Sequence, residues 1–316
     1  MSASPWWFVT GLLVPAVIAA AVMAWGLRVW RREACSVRRA AWAWPVAVGV
    51  GMLVAIAAKH GLPPADAWGR PLDLFEWQTW LGFSLVPMTL ALVLSAQRGK
   101  AKWVGPPLAL LSLAAAMVAL LLPGVRGQWS AGETLAFVGG PAAGLAIAMG
   151  LGSVLSRRAG RELPAILGLT AVGAGMTIAF SGSESVGLTA VSLGAVMAGG
   201  GVVGLFAGCR SAAGAAPPAL FVLMSILVAG VFYTYDPYTG SMGLRLWEAI
   251  PLAGAPLLGL LDPVPRGLKG GGVKGERRVL RAVLRSVVCL TPVAAITLRA
   301  GIVFAQQIDE TAGYGY

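Results

Sequence analysis

The chain has 316 residues, 57% of them hydrophobic and 12% charged, with a mean hydropathy of +0.77. It has too few polar side chains to coat a globule of this size, so a soluble protein is excluded. The net charge of +11 would point a soluble chain toward nucleic acid. Here the basic residues lie in short breaks between long apolar runs, and nucleic acid is not an expected partner.

A helix crossing the hydrocarbon core needs about 20 largely apolar residues. Dividing the chain at charge clusters and at Gly/Pro/Asp punctuation yields ten such segments, and hence an all-α polytopic transmembrane helix bundle forming a single integral membrane domain over 1–316. The first segment, Trp6–Leu27, has no basic stretch before it and is followed directly by Arg28, Arg31 and Arg32, so it is expected to be a retained helix with its N-terminus outward. Ala40–Ala58 follows, then a loop over 59–76 with Asp66, Trp68, Arg70, Asp73 and Glu76, and then Trp77–Ala96, whose first turn contains Trp80. Glu76 and Trp80 are candidate lining for an outer cavity, and interfacial anchoring accounts equally for the tryptophan.

Val104–Leu122 carries no such signal. Thr134–Leu155 presents Gly140, Gly144, Ala148 and Gly152 at four-residue intervals, and after Leu163–Phe180, the segment Val186–Cys209 presents Gly200, Gly204 and Gly208. Small residues in such rows let helix backbones approach closely, so these two segments are the candidates for the centre of the bundle. Ala216–Tyr233 leads into an outer loop with Tyr235 and Asp236, candidate stacking and polar groups. Leu244–Leu261 is the most irregular span, with Arg245, Trp247, Glu248, Pro251, Gly254, Pro256 and Gly259 close together. Prolines remove backbone donors, and a broken helix here is expected to mark a binding site. The inner loop 262–285 is basic, with a flexible Gly-rich half and an amphipathic stretch before the last span, Ser286–Gln306.

The last span holds Arg299, the one ionisable residue well inside an apolar run. It either snorkels outward or pairs with an outer carboxylate such as Glu248 or Glu184, and an anionic substrate is a third use. Glu76, Glu133, Glu184 and Glu248 recur near the outer starts of alternate helices, where the helix dipole favours a carboxylate. Capping and convergence on an outer vestibule both fit that spacing.

Orientation comes from the loops. Nineteen of the 24 Lys and Arg fall on alternate loops (28–39, 97–103, 156–162, Arg210 and 262–285) with four acids, whereas the other loops and the C-terminus hold four basic residues and nine acids. Basic residues resist translocation, so the first set is cytoplasmic, opposite anionic lipid headgroups, and both termini are outside a bacterial-type inner membrane. Cys35, Cys209 and Cys289 have no metal-ligand spacing, His60 is the only histidine, and no nucleophile or nucleotide motif occurs. No cofactor is expected. The expected function is that of a permease-like or accessory inner-membrane protein, with two alternatives: a structural subunit, alone as a homo-oligomer or in a larger membrane complex, and an outer-face enzyme on a lipid-linked substrate with Glu248, Asp236 or Glu76 as base. In a variant with its native cysteines replaced, Ser183→Cys is expected to react with an impermeant maleimide in intact cells and Gly160→Cys only after permeabilisation; the opposite pattern inverts the orientation.

Overall fold

The computed structural model describes residues 8–27, 37–60, 77–97, 101–127, 129–158, 160–207, 212–233, 243–261 and 274–313. Glu76, Tyr235, Asp236 and Gly208 lie outside the described residues, as does the side chain of Trp80. Among the described residues the chain forms ten helical segments and no strand. Helix α1 consists of π-helical turns Phe8–Leu13 continued by Val14–Leu27; α2 is Val37–His60, α3 Trp77–Ser95 and α4 Ala101–Gly127. A short helix Ala131–Thr134 and π-helical turns Leu135–Gly139 lead into α5, Gly140–Arg158. Then come α6 (Leu163–Phe180), α7 (Glu184–Phe206), α8 (Ala216–Tyr233), α9 (Leu246–Gly254, continued by 3-10 turns Ala255–Leu260) and α10 (Lys274–Gly313). This is the all-α bundle expected, because helices satisfy their own backbone groups where no water can. Seven of the helical stretches are long and apolar enough to cross a membrane, and Ser84–Ser95, Ala216–Phe232 and Leu246–Leu260 are shorter apolar helices. The chain is a multi-pass membrane protein.

The ninth span departs from expectation. Its Pro and Gly residues do not break it: the Ala255 N–H still reaches the Pro251 carbonyl, and Pro256 falls in the first turn of the 3-10 segment, where its missing donor is not needed. Nine α-helical and six 3-10 residues at about 1.5 and 2.0 Å per residue reach about 26 Å, close to the roughly 30 Å of a hydrocarbon core.

Long-range contacts follow the alternation read from the loop charges. At the acidic end Lys59 Nζ donates to the Ser185 carbonyl at 2.5 Å, and Trp129 meets Phe232 with ring centres 5.5 Å apart. At the basic end Arg285 pairs with Glu162, and the Ala216 N–H donates to Ser156 Oγ at 3.0 Å. Each contact joins residues distant in sequence that the charge pattern assigns to one face.

Helix α7 is central, packing against α6, α1, α2 and α8. Its tightest partner is α6, through glycines spaced by seven. A Cβ added to Gly175 would lie 2.5 Å from the Gly187 carbonyl oxygen, and one added to Gly194 would lie 3.0 Å from that of Gly168. These pairs lie six and thirteen residues either side of Ser181, the register of an antiparallel hairpin turning there. Side chains fill the space around it, with Trp44, Phe221, Met23 and Met52 wholly enclosed.

Of the small-residue rows expected at the centre, that of α7 is there: Gly200 abuts Trp44 and Met23, and Gly204 is buried. The row on α5 is not central. Gly152 meets Leu220 and Ala216 of α8, but a Cβ at Gly140 or Gly144 would meet nothing within 4 Å, because the outer half of α5 lies at the periphery of the bundle. Gly175→Val or Gly187→Val should therefore destabilise the detergent-solubilised protein by about 1–3 kcal/mol or more. Gly140→Val and Gly144→Val should leave the thermal midpoint unmoved.

Candidate functional site

Helix α10 touches the bundle along one stripe, Arg285, Cys289, Val293, Ile296 and Ala300, whose spacing of three and four keeps them on one face. The stripe is laced with polar contacts. At the basic end Arg285 Nη1 donates to Glu162 Oε1 at 2.6 Å, with both side chains largely buried, and the same oxygen accepts the Gly160 N–H. Midway, Thr297 and Thr177 both donate to the Gly173 carbonyl, at 3.1 and 2.9 Å, and the free thiol of Cys289 faces the Pro256 carbonyl at 3.9 Å.

At the acidic end Arg299 Nη1 donates to Glu248 Oε1 at 2.7 Å. Arg299 is thus paired with Glu248, one of the two carboxylates expected for it. Glu248 stands in the first turn of α9, where its Oε2 also accepts the Arg245 N–H at 3.0 Å and caps the helix. Its side chain is 7% exposed, against 47% for Arg299. The guanidinium carbon lies 4.4 Å from the centre of the Trp247 ring, within reach of a cation–π contact. A carboxylate so buried needs both donors, since an unpaired charge at this depth costs several kcal/mol.

Beside the pair opens a cleft of about 230 Å³, walled by Phe180, Ser181 and Gly182 at the end of α6, by Arg245 and Glu248, and by Ala300, Val303, Phe304 and Gln307 of α10. The α6 wall is set by a Schellman turn: the Ser183 N–H reaches the Ile178 carbonyl, the Gly182 N–H reaches that of Ala179, and Gly182 has φ +108°, a conformation that favours glycine. Phe180 and Phe304 close the floor with ring centres 5.4 Å apart.

The structure thus brings together Glu248 and Arg299 and leaves Glu184 out. Glu184 is exposed in the first turn of α7, beside the Ser185 that Lys59 holds. Glu133 closes a capping box with Ser130, and among the described residues Glu248 is the one glutamate lining the cleft, so capping rather than a vestibule accounts for those described. Missed from sequence were the Trp247 stack, the α6 turn and the Arg285–Glu162 pair. That pair had a signal in Glu162, one of only four acids on the basic side.

A second cavity, about 470 Å³, lies at the basic end between Arg38, Arg39 and Trp42 of α2 and Val93, Ala96 and Gln97 at the end of α3. Among the described residues no group of three His, Cys, Asp or Glu could hold a metal ion. No family model, curated protein or solved structure matches the chain.

The site makes a paired prediction. Arg299→Leu alone strands a buried carboxylate and should lower stability by about 1–3 kcal/mol. Glu248→Leu with Arg299→Leu removes both charges and should recover most of that loss in the thermal midpoint of the purified protein. An Arg299→Leu variant that melts like the parent would show the pair to be inert.

Proposed function

We propose that the chain is an accessory or scaffold subunit of an inner membrane, its basic end toward the cytoplasm and both termini outside, rather than a carrier that moves a solute through its own centre. The observation that carries this reading is the filled interior. Trp44, Phe221, Met23, Met52 and Met117 occupy the bundle core, while the two cavities described above open at opposite ends. Two of the buried mid-helix hydroxyls serve their own helices: Thr170 donates to the Ile166 carbonyl and Ser192 to that of Leu188.

The exposed outer half of α5 supports the reading from another side. Ile147 and Leu151 of α5 project beside Gly140 and Gly144, with Leu135 exposed in the turns before it, an apolar face fit for lipid or another subunit. The basic-end cavity supports contact with anionic headgroups through Arg38 and Arg39. An outer-face enzyme with Glu248 as base has less support, because both of its carboxylate oxygens already accept hydrogen bonds.

Single cysteines at Thr170 and Ser225, in a background free of native cysteines, test the proposal. A filled scaffold should label with a water-soluble methanethiosulfonate from either side at under one-tenth of the rate at Ser183→Cys. Brisk labelling at mid-bundle from both sides would overturn it in favour of a permease. A photoreactive residue in place of Ile147 should capture a defined protein in native membranes; adducts with lipid alone would remove the subunit role.

A further inference from the structure

We infer that the cleft between α9, α10 and the end of α6 binds the phosphate group of an anionic phospholipid, in the leaflet at the acidic end of the bundle. This stands apart from the scaffold reading and does not depend on it.

The charge balance in the cleft favours an anion. Among the described residues Arg299 and Arg245 line it, and Glu248 is the one carboxylate. Glu248 is turned to internal use, one oxygen on Arg299 and the other on the Arg245 N–H. Arg299 commits one of its five N–H donors to that carboxylate among the described residues and is 47% exposed, so the rest of the fork can meet a ligand. Trp247 holds the guanidinium against its ring, fixing the plane in which a phosphate would be gripped by two N–H groups. The start of α9 adds the positive end of a helix dipole. Near the end of α6 the carbonyls of Thr177, Ile178 and Ala179, which would repel an anion, are occupied by the N–H groups of Ser181, Gly182 and Ser183.

The surroundings decide between a lipid and a water-borne anion. Around the charged group Leu246 and Ile250 of α9 are 64% and 67% exposed, and Leu298 and Ile302 of α10 are 67% and 51% exposed. Arg299 also lies fourteen residues beyond Arg285 on α10, about 21 Å along the helix, still within the reach of acyl chains in a core of about 30 Å. Side chains of this kind face acyl chains, so an anion that reaches Arg299 past them does so most readily as the headgroup of a lipid. An amphiphile places its phosphate on Arg299 and its chains along Leu298 and Ile302.

The test is native mass spectrometry of the full chain in detergent, titrated with phosphatidylglycerol or phosphatidylcholine. Arg38→Gln is the background, to reduce retention of lipid at the basic end. Phosphatidylglycerol is expected to bind at least tenfold more tightly than phosphatidylcholine. Glu248→Leu with Arg299→Leu should abolish that preference, Arg299→Lys should reduce it, and millimolar glycerol 3-phosphate should not displace the lipid. Val303→Trp fills the cleft without touching the ion pair and should abolish the preference in a protein that melts normally. Equal binding of the two lipids, or a preference that survives Val303→Trp, would overturn the inference. Displacement by glycerol 3-phosphate would overturn its lipid part and leave a site for a soluble phosphate.

Discussion

The bundle depends on the approach of two backbones. In water, helices join because apolar faces leave solvent, but lipid tails are as apolar as leucine, and that drive is absent between spans. Van der Waals contact and polar bonds must do the holding. Where α6 meets α7, Gly168 and Gly175 face Gly194 and Gly187 with no side chain between, and each helix touches the carbonyls of the other. This brings α7 deep enough for α1, α2 and α8 to pack around it. Trp44 of α2 then lies against Gly200 of the same helix.

The periphery is held differently. Helix α10 is lipid-facing over most of its circumference and attaches through Arg285–Glu162, Thr297 on the Gly173 carbonyl, and Arg299–Glu248. Polar groups in a nonpolar medium impose geometry strictly, since each must find its partner or remain unsolvated. The bonds therefore fix the rotation and height of α10 more than they add to its stability. They are not perfectly closed: Arg285 Nε is buried without a partner among the described residues. At the other end Glu248 is satisfied while Arg299 keeps donors in reserve, and this asymmetry makes the acidic end chemically the more available.

Much of this could be read before any coordinates. Span lengths and loop charges follow from the cost of placing polar groups in hydrocarbon, which acts on each residue separately and so is written locally in the chain. Arg299 stood out for the same reason, and Glu248 was among its nominated partners. Pairings between helices are less local. The rows of small residues at intervals of four pointed to α5 as well as α7, yet what matters at the α6–α7 contact is a spacing of seven on both helices, placed symmetrically about Ser181. Gly140 and Gly144 show that a small-residue row states only that close approach is permitted. The ninth span misled in another way, since Pro251 lies within its α-helical part without ending it and Pro256 sits at the start of the 3-10 turns, where its missing donor is not needed. The Trp247 contact depended on the rotamers of neighbouring side chains, which no spacing encodes.

The turn at Ser181–Ser183 bears on how the bundle is made. Its hydrogen bonds finish α6, and Ser183 starts α7 by accepting the Val186 N–H, so the two helices share one connection with little slack. Contacts across such a hairpin are close in sequence and cost little chain entropy to form. Helices α6 and α7 can thus enter the membrane already joined, during synthesis, before α8, α9 and α10 exist. The earlier helices have a finished surface on which to settle, and α10, made after them and held by its polar bonds, docks onto a bundle already formed.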